Sequence, residues 1–132
     1  MLDKRNFYIN GKWVAPSKTN DFEVINPSNE KPCAVISLGQ ESDTNLAVSS
    51  ARKAFSSWSK TKKNEKIELL EKLYQIYKSN WDEMSKSISL EMGAPIDWAS
   101  SAQTASGADH IKDFIENLKN FEFEKPFNDN SD

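Results

Sequence analysis

Apolar residues recur in steps of three and four along one stretch of the chain, Thr61 to Trp98 (TKKNEKIELLEKLYQIYKSNWDEMSKSISLEMGAPIDW). Ile67, Leu70, Tyr74, Tyr77, Trp81, Met84 and Ile88 form one stripe at that spacing, which predicts a single long amphipathic helix over about 61–93. Leu69, Leu73 and Ile76 widen the stripe beyond a coiled-coil seam, so burial against more than one neighbour is expected. Lysines and glutamates fill the other face, with Glu68 and Lys72 at the favourable four-residue spacing. Thr61 or Asn64 can cap the start by accepting a free backbone N–H. Gly93 can take the left-handed conformation that closes a helix, and Pro95 has no N–H to continue one.

Ahead of this stretch the period shortens and turn residues appear. Phe7-Tyr8-Ile9 and Lys12-Trp13-Val14 flank Asn10-Gly11, a pair that tolerates the positive φ of a type I′ turn, so a hairpin is expected. Residues 15–20 contain Pro16 and read as a loop. Phe22 to Ile25 reads as a second strand, ended by Asn26-Pro27-Ser28-Asn29, and Ala34 to Ser37 as a third, between Pro32 and Gly39. The β-rich start spans 1–40. Ser42 is the expected cap of a first helix, with Asp43 favourably placed against its dipole. Ala47, Ala51, Ala54, Phe55 and Trp58 share one face of it. A third helix follows Pro95. Its first half, Ala99 to Ala108, consists of residues small enough for another helix to approach closely, and its second carries Ile111, Phe114, Ile115 and Leu118. The helices occupy 41–120. Residues 121–132 are acidic and polar and are expected to form a tail without a core. The expected fold class is mixed α and β: short N-terminal strands with a hairpin, then three helices.

Four pieces of this pattern together resemble one family. They are Ile9-Asn10-Gly11-Lys12-Trp13, Asn26-Pro27, the helix Asp43 to Trp58 (DTNLAVSSARKAFSSW), and the ending Glu91-Met92-Gly93-Ala94-Pro95. Their order and spacing resemble the N-terminal region of the NAD(P)-dependent aldehyde dehydrogenases over roughly Phe7 to Leu118. Ala94 stands where that family usually has lysine, and Lys66 where it usually has arginine. Neither position carries the family's chemistry.

The resemblance implies an enzyme that oxidises an aldehyde to a carboxylic acid. A cysteine forms a thiohemiacetal, hydride passes to NAD or NADP, and a glutamate activates water. It also implies that the catalytic cysteine and glutamate, the oxyanion-hole asparagine and the cofactor-binding strands all lie beyond this segment. No catalytic or cofactor-binding residue is therefore expected here, and the segment is read as part of a domain truncated before the catalytic machinery. The implied partner is the remainder of the dehydrogenase chain, its nucleotide-binding domain above all, in a homo-oligomeric parent. Many family members hold a monovalent cation through backbone oxygens just before the Asn-Pro turn and an acidic residue ahead of the glycine. Those positions fall on Val24, Ile25 and Glu91. The alternative reading is a self-contained helical module that presents an apolar groove to a partner.

Composition narrows the classes further. The chain has 132 residues, 37% hydrophobic and 28% charged, enough for one small domain or a piece of a larger one. A net charge of -3 provides no basic field for phosphates, which argues against nucleic acid. No apolar run reaches bilayer length, and the first residues lack the apolar core of a signal peptide, so no membrane association and a cytoplasmic location are expected. Cys33 is the only cysteine, which excludes an internal disulfide and a cysteine-based zinc site.

The remaining candidates have plainer explanations. No base lies near Cys33 in sequence, so it reads as a small hydrophobe beside a strand. His110, the only histidine, has no matched carboxylate or thiol and reads as a helix-surface or packing residue. Glu91 and Asp97 flank the Gly-Ala-Pro break as solvated groups at a helix end. Gly11, Gly39, Gly93 and Gly107 are too scattered for a pyrophosphate-binding turn. The tryptophans and tyrosines, beside leucines at helical spacing, read as core or interface.

Overall fold

A computed structural model describes residues 1–124 and 127. The expectation of a coreless tail at 125–126 and 128–132 lies outside the described residues. Five strands come first: β1 (Leu2–Lys4), β2 (Phe7–Ile9), β3 (Lys12–Val14), β4 (Asp21–Asn26) and β5 (Lys31–Ser37). Asn10 and Gly11 have φ of 53° and 75°, and β2 and β3 pair antiparallel from Phe7↔Val14 to Ile9↔Lys12. That is the mirror-image turn a tight hairpin requires. The other three strands form a second sheet in the order β1-β5-β4. β1 was not expected, since Leu2-Asp3-Lys4 has no alternation to read. It joins as a parallel edge, Leu2↔Ala34 to Lys4↔Ile36. The Arg5 guanidinium holds this corner by donating to both oxygens of Asp21 at 2.9 Å and to Asp3 at 2.7 Å.

The first helix, α1 (Glu41–Trp58), begins at Gln40 rather than at Ser42. The Asp43 carboxylate accepts the Gln40 N–H and the Ser17 N–H, both at 2.9 Å, reaching back to the start of the helix and across to the loop after β3. Ser42 instead places its Oγ 2.7 Å from Ser17 Oγ. The apolar face of α1 finds little cover. The helix packs on β2, while Phe55 and Trp58 stay exposed.

The long amphipathic stretch is two helices, α2 (Lys63–Ser79) and α3 (Trp81–Met92), interrupted at Asn80. Asn80 has φ -106° and ψ 21°, and its Nδ2 donates to the Ile76 carbonyl at 2.7 Å. A short amide side chain competing for the backbone carbonyl of the preceding turn is the physical reason for the break. Lys62 holds the N-cap position of α2 with no side-chain bond, so neither Thr61 nor Asn64 caps it. The inward stripe continues through the break with one change. Ser85 is buried and Met84 is exposed, because the Ser85 hydroxyl meets Thr104 Oγ1 at 2.9 Å.

After Pro95 the chain runs through a short helix α4 (Ile96–Trp98), a π-helical stretch (Ala99–Thr104) and α5 (Ala105–Asn120). Small residues allow the close approach foreseen for them. Ala99, Thr104 and Ala108 are buried, and the Tyr77 hydroxyl reaches over Gly107 to donate to the Thr104 carbonyl at 3.0 Å. Trp81 Nε1 donates to Ser100 Oγ at 3.0 Å. The buried apolar residues among those described are Val35, Ala99, Ala108, Ile115 and Leu118. They sit where α2 and α3 meet the last helix and under the middle of β5.

The wide side of the stripe is bare. Leu69, Leu73 and Ile76 are 52%, 47% and 51% exposed, so α1 does not cover them. The chain has 10496 Å² of accessible surface at 15.0 kDa. Compact monomers of that mass have roughly 7000 Å². The strands and helices enclose a small core.

Candidate functional site

Two turns far apart in sequence meet at one place. The β4–β5 turn is built by asparagines: Asn26 Oδ1 accepts the Ser28 N–H at 2.8 Å, and Asn29 Oδ1 accepts the Lys31 N–H at 3.0 Å. Glu30 completes it at φ 57° while donating its N–H to the Asn26 carbonyl at 2.8 Å. This brings Pro27 to the end of α3. There Gly93, at φ 73° and ψ 13°, closes the helix as expected, and a Cβ added to it would lie 2.7 Å from Pro27 Cγ. Ser89 Oγ donates to the Ala94 carbonyl at 2.7 Å and holds the outgoing chain. The Asn-Pro and Glu-Met-Gly-Ala-Pro pieces are thus two halves of one contact.

Val24, Ile25 and Glu91 belong to the elements joined by this contact. Val24 and Ile25 are on β4, which packs on α3, and Glu91 is in the last turn of α3. The β4–β5 register slips between Val24 and Ile25, so Val24 lies opposite Ala34 while Ile25 lies opposite Pro32. Pro32 has no N–H, so it donates nothing to β4 at that rung. The Val24 carbonyl accepts Cys33 Sγ at 3.3 Å. Carbonyl and carboxylate oxygens are the donors that hard cations take, and these three residues stand on neighbouring elements. Among the described residues no cluster of three or more His, Cys, Asp or Glu side chains exists, so any cation here depends on backbone oxygens.

The other candidates separate. Cys33 is half-buried beside the sheet, His110 is exposed on α5, and Asp97 is exposed on α4. Of the aromatics, Trp81 is half-buried against Ser100, whereas Trp13, Trp58 and Trp98 are exposed and form no core here. Tyr8 and Trp13 stack edge to face at 5.2 Å on the open face of the hairpin. No helix among the described residues is long and apolar enough to cross a membrane.

The model for the aldehyde dehydrogenase family matches residues 13–131. The chain belongs to the aldehyde dehydrogenase family. It is 43% identical over 126 residues to the 3-succinoylsemialdehyde-pyridine dehydrogenase of a Pseudomonas species, an alignment covering 95% of this chain and 26% of that protein. Its structure is similar to an aldehyde dehydrogenase of Bartonella henselae, with a TM-score of 0.94 at 48% identity, over 99% of this chain and 28% of the other. A Pseudomonas syringae aldehyde dehydrogenase solved with NAD+ and octanal matches at 31% identity and a TM-score of 0.91, over 93% and 25%. The chain thus spans about a quarter of the length of these relatives, and its strands followed by helices match the N-terminal part of the aldehyde dehydrogenase fold.

Membership displaces the reading of the chain as an unrelated helical module. It also explains why aldehyde dehydrogenase signatures scattered through the sequence converge: they fix the Pro27–Gly93 contact and the hairpin. Two features escaped the sequence reading. The Asp43 carboxylate is held below the usual range by the Gln40 and Ser17 backbone N–H donors, which favour its charged form. Asp21 is lowered by the Arg5 guanidinium that bonds it. Nothing local signals Ser17 or Arg5, because their partners lie 26 and 16 residues away.

Proposed function

We propose that this chain supplies the N-terminal, non-catalytic part of an NAD(P)-dependent aldehyde dehydrogenase that oxidises an aldehyde to a carboxylic acid. The observation that carries this reading is the uncovered apolar ridge of Leu69, Leu73 and Ile76 on a segment that overlays one quarter of such enzymes. An enzyme of this class needs a nucleophilic cysteine, a base and a phosphate-binding loop, whereas the Cys33 thiol is bonded to the Val24 backbone carbonyl. The segment therefore works by packing: its helices cover the nucleotide-binding domain and its hairpin lies at the domain edge, in a homo-oligomeric cytoplasmic enzyme. NAD or NADP, when bound to the rest of the chain, accepts the hydride. The Val24 and Ile25 carbonyls and the Glu91 carboxylate hold a monovalent cation that ties β4 to the end of α3.

The test is reconstitution. The polypeptide carrying this segment and the remaining three-quarters of the fold is expected to reduce NAD or NADP with an aldehyde, read at 340 nm. The similarity to the Pseudomonas enzyme makes a pyridyl keto-aldehyde the first substrate to try. The segment alone is expected to show neither turnover nor saturable NAD binding by calorimetry. Micromolar NAD binding by the segment alone, or a complete polypeptide inert toward a broad aldehyde panel with both cofactors, would overturn the proposal.

A further inference from the structure

Two packed helical segments bend at a given level only where both are interrupted there, because an unbroken helix in either one splints the pair. Both are interrupted here. In one, α2 ends and α3 begins around Asn80, whose φ of -106° and ψ of 21° lie outside the helical range. In the other, the bonding changes from π to α between Thr104 and Ala105. The Tyr77 hydroxyl, from the last turn of α2, donates to the Thr104 carbonyl at 3.0 Å and puts the two breaks at one level. Packing divides there as well: α2 lies on α5, whereas α3 lies on the π-helical stretch and on β4. Within the second group, Trp81 Nε1 donates to Ser100 Oγ at 3.0 Å, and Ser85 Oγ meets the fully buried Thr104 Oγ1 at 2.9 Å.

We propose that the aligned breaks form a hinge and that the Tyr77 hydroxyl is its latch. The α2–α5 pair turns as one body against a second body made of α3, the π-helical stretch and β4. Hinges place the change of backbone angles in a few residues at element ends, as at Asn80 and Thr104. The π turn supplies the freedom on its side, because its N–H groups reach one residue further back than those of an α-helix and can shift their bonds. The Tyr77 ring belongs to the first body, since it packs over Gly107 of α5, where an added Cβ would lie 3.0 Å from Tyr77 Cζ. Its hydroxyl alone crosses over. Among the described residues this is the one side-chain hydrogen bond between the two bodies, while Ser85 and Trp81 fasten its acceptor to α3. Opening breaks the Tyr77 bond and leaves each body folded. It swings the exposed Leu69, Leu73 and Ile76 ridge of α2 relative to the Pro27–Gly93 corner at the end of α3.

The experiment measures distances in the complete polypeptide, with spin labels attached through non-natural residues at exposed positions. One pair, at Glu68 on α2 and Lys86 on α3, spans the hinge. The other, at Glu68 and Asp113 on α5, lies within the first body. Wild type and Tyr77→Phe are compared, since phenylalanine keeps the ring over Gly107 and its edge-to-face contact with Trp81. Losing one hydrogen bond is expected to raise the population at a second 68–86 distance about five-fold. The 68–113 distribution is expected to stay as in wild type. Ser85→Ala, which cuts a bond inside the second body, is the control and should leave 68–113 unchanged too. An unchanged 68–86 distribution in Tyr77→Phe overturns the latch. Equal broadening of both pairs overturns the hinge, because it would mean that the helices loosen as a whole.

Discussion

Replacing Gly93 by alanine imposes two separate costs at the end of α3. The first is conformational: at φ 73° an L-residue is strained by about 1 kcal/mol. The second is steric, because the new Cβ would lie 2.7 Å from Pro27 Cγ, an atom of a ring anchored in the β4–β5 turn. Forcing that ring aside is an overpacking cost of about 1–3 kcal/mol. Gly93→Ala should therefore destabilise by about 2–4 kcal/mol, and Gly93→Val by more, since a β-branched residue resists the left-handed region further. Gly11 provides the control. Its φ is 75°, but nothing lies within 4 Å of its added Cβ, so Gly11→Ala should cost only the conformational part, about 1 kcal/mol. Pro27→Ala removes Cγ and leaves Cβ, the next atom, at a tolerable 3.4 Å. In that background Gly93→Ala should recover most of its steric cost, giving a coupling energy of about 1–3 kcal/mol. The assay is urea unfolding of the complete polypeptide at constant m for the four single and double variants. Equal losses for Gly11→Ala and Gly93→Ala, with no coupling to Pro27, would refute the contact between the two turns.

Three further outcomes are expected. Gly107→Ala should destabilise because its Cβ meets the Tyr77 hydroxyl, and Tyr77→Phe should relieve part of that loss by removing the oxygen, the ring Cζ remaining 3.0 Å away; thermal midpoints of the double variant check this, and an additive result counts against it. Asp43 is lowered in the folded state, so its contribution is complete above its unfolded pKa and is lost as pH falls through the folded value; Asp43→Asn should flatten the acid limb of stability below about pH 4, and an unchanged acid limb would mean the Ser17 and Gln40 bonds contribute nothing. Expressed alone, the chain should self-associate and bind an apolar dye through Leu69, Leu73, Ile76 and the bare face of α1; sedimentation of a dye-silent, cooperatively unfolding monomer would contradict the reading of these faces as covered by the rest of the enzyme.

Wherever an element is specified by near neighbours, the amino-acid sequence by itself determined it. The hairpin needs two adjacent residues at positive φ, and Asn10-Gly11 can be little else. The end of α3 needs one glycine, and Gly93 takes the required conformation because a helix terminus is a local event. The family signatures are legible for the same reason, since each is a short motif at a turn or a helix end.

Contacts between distant residues were settled only by tertiary structure. The sequence period cannot distinguish one helix from two, and Asn80 breaks the stretch through a side-chain bond to Ile76 that the apolar spacing does not register. Ser85 displaces Met84 from the inward stripe because Thr104, on another helix, supplies a hydroxyl partner. β1 exists because β5 offers it an edge and Arg5 finds Asp21 there. The candidate cation site divides in the same way. The identities of Val24, Ile25 and Glu91 follow from motif positions, whereas the register slip beside Val24 follows from the pairing of β4 with β5. Local geometry depends on energies within a few bonds of a residue and is written in the chain order. Packing depends on which distant surface arrives, and among the described residues none arrives over the Leu69, Leu73 and Ile76 ridge of α2.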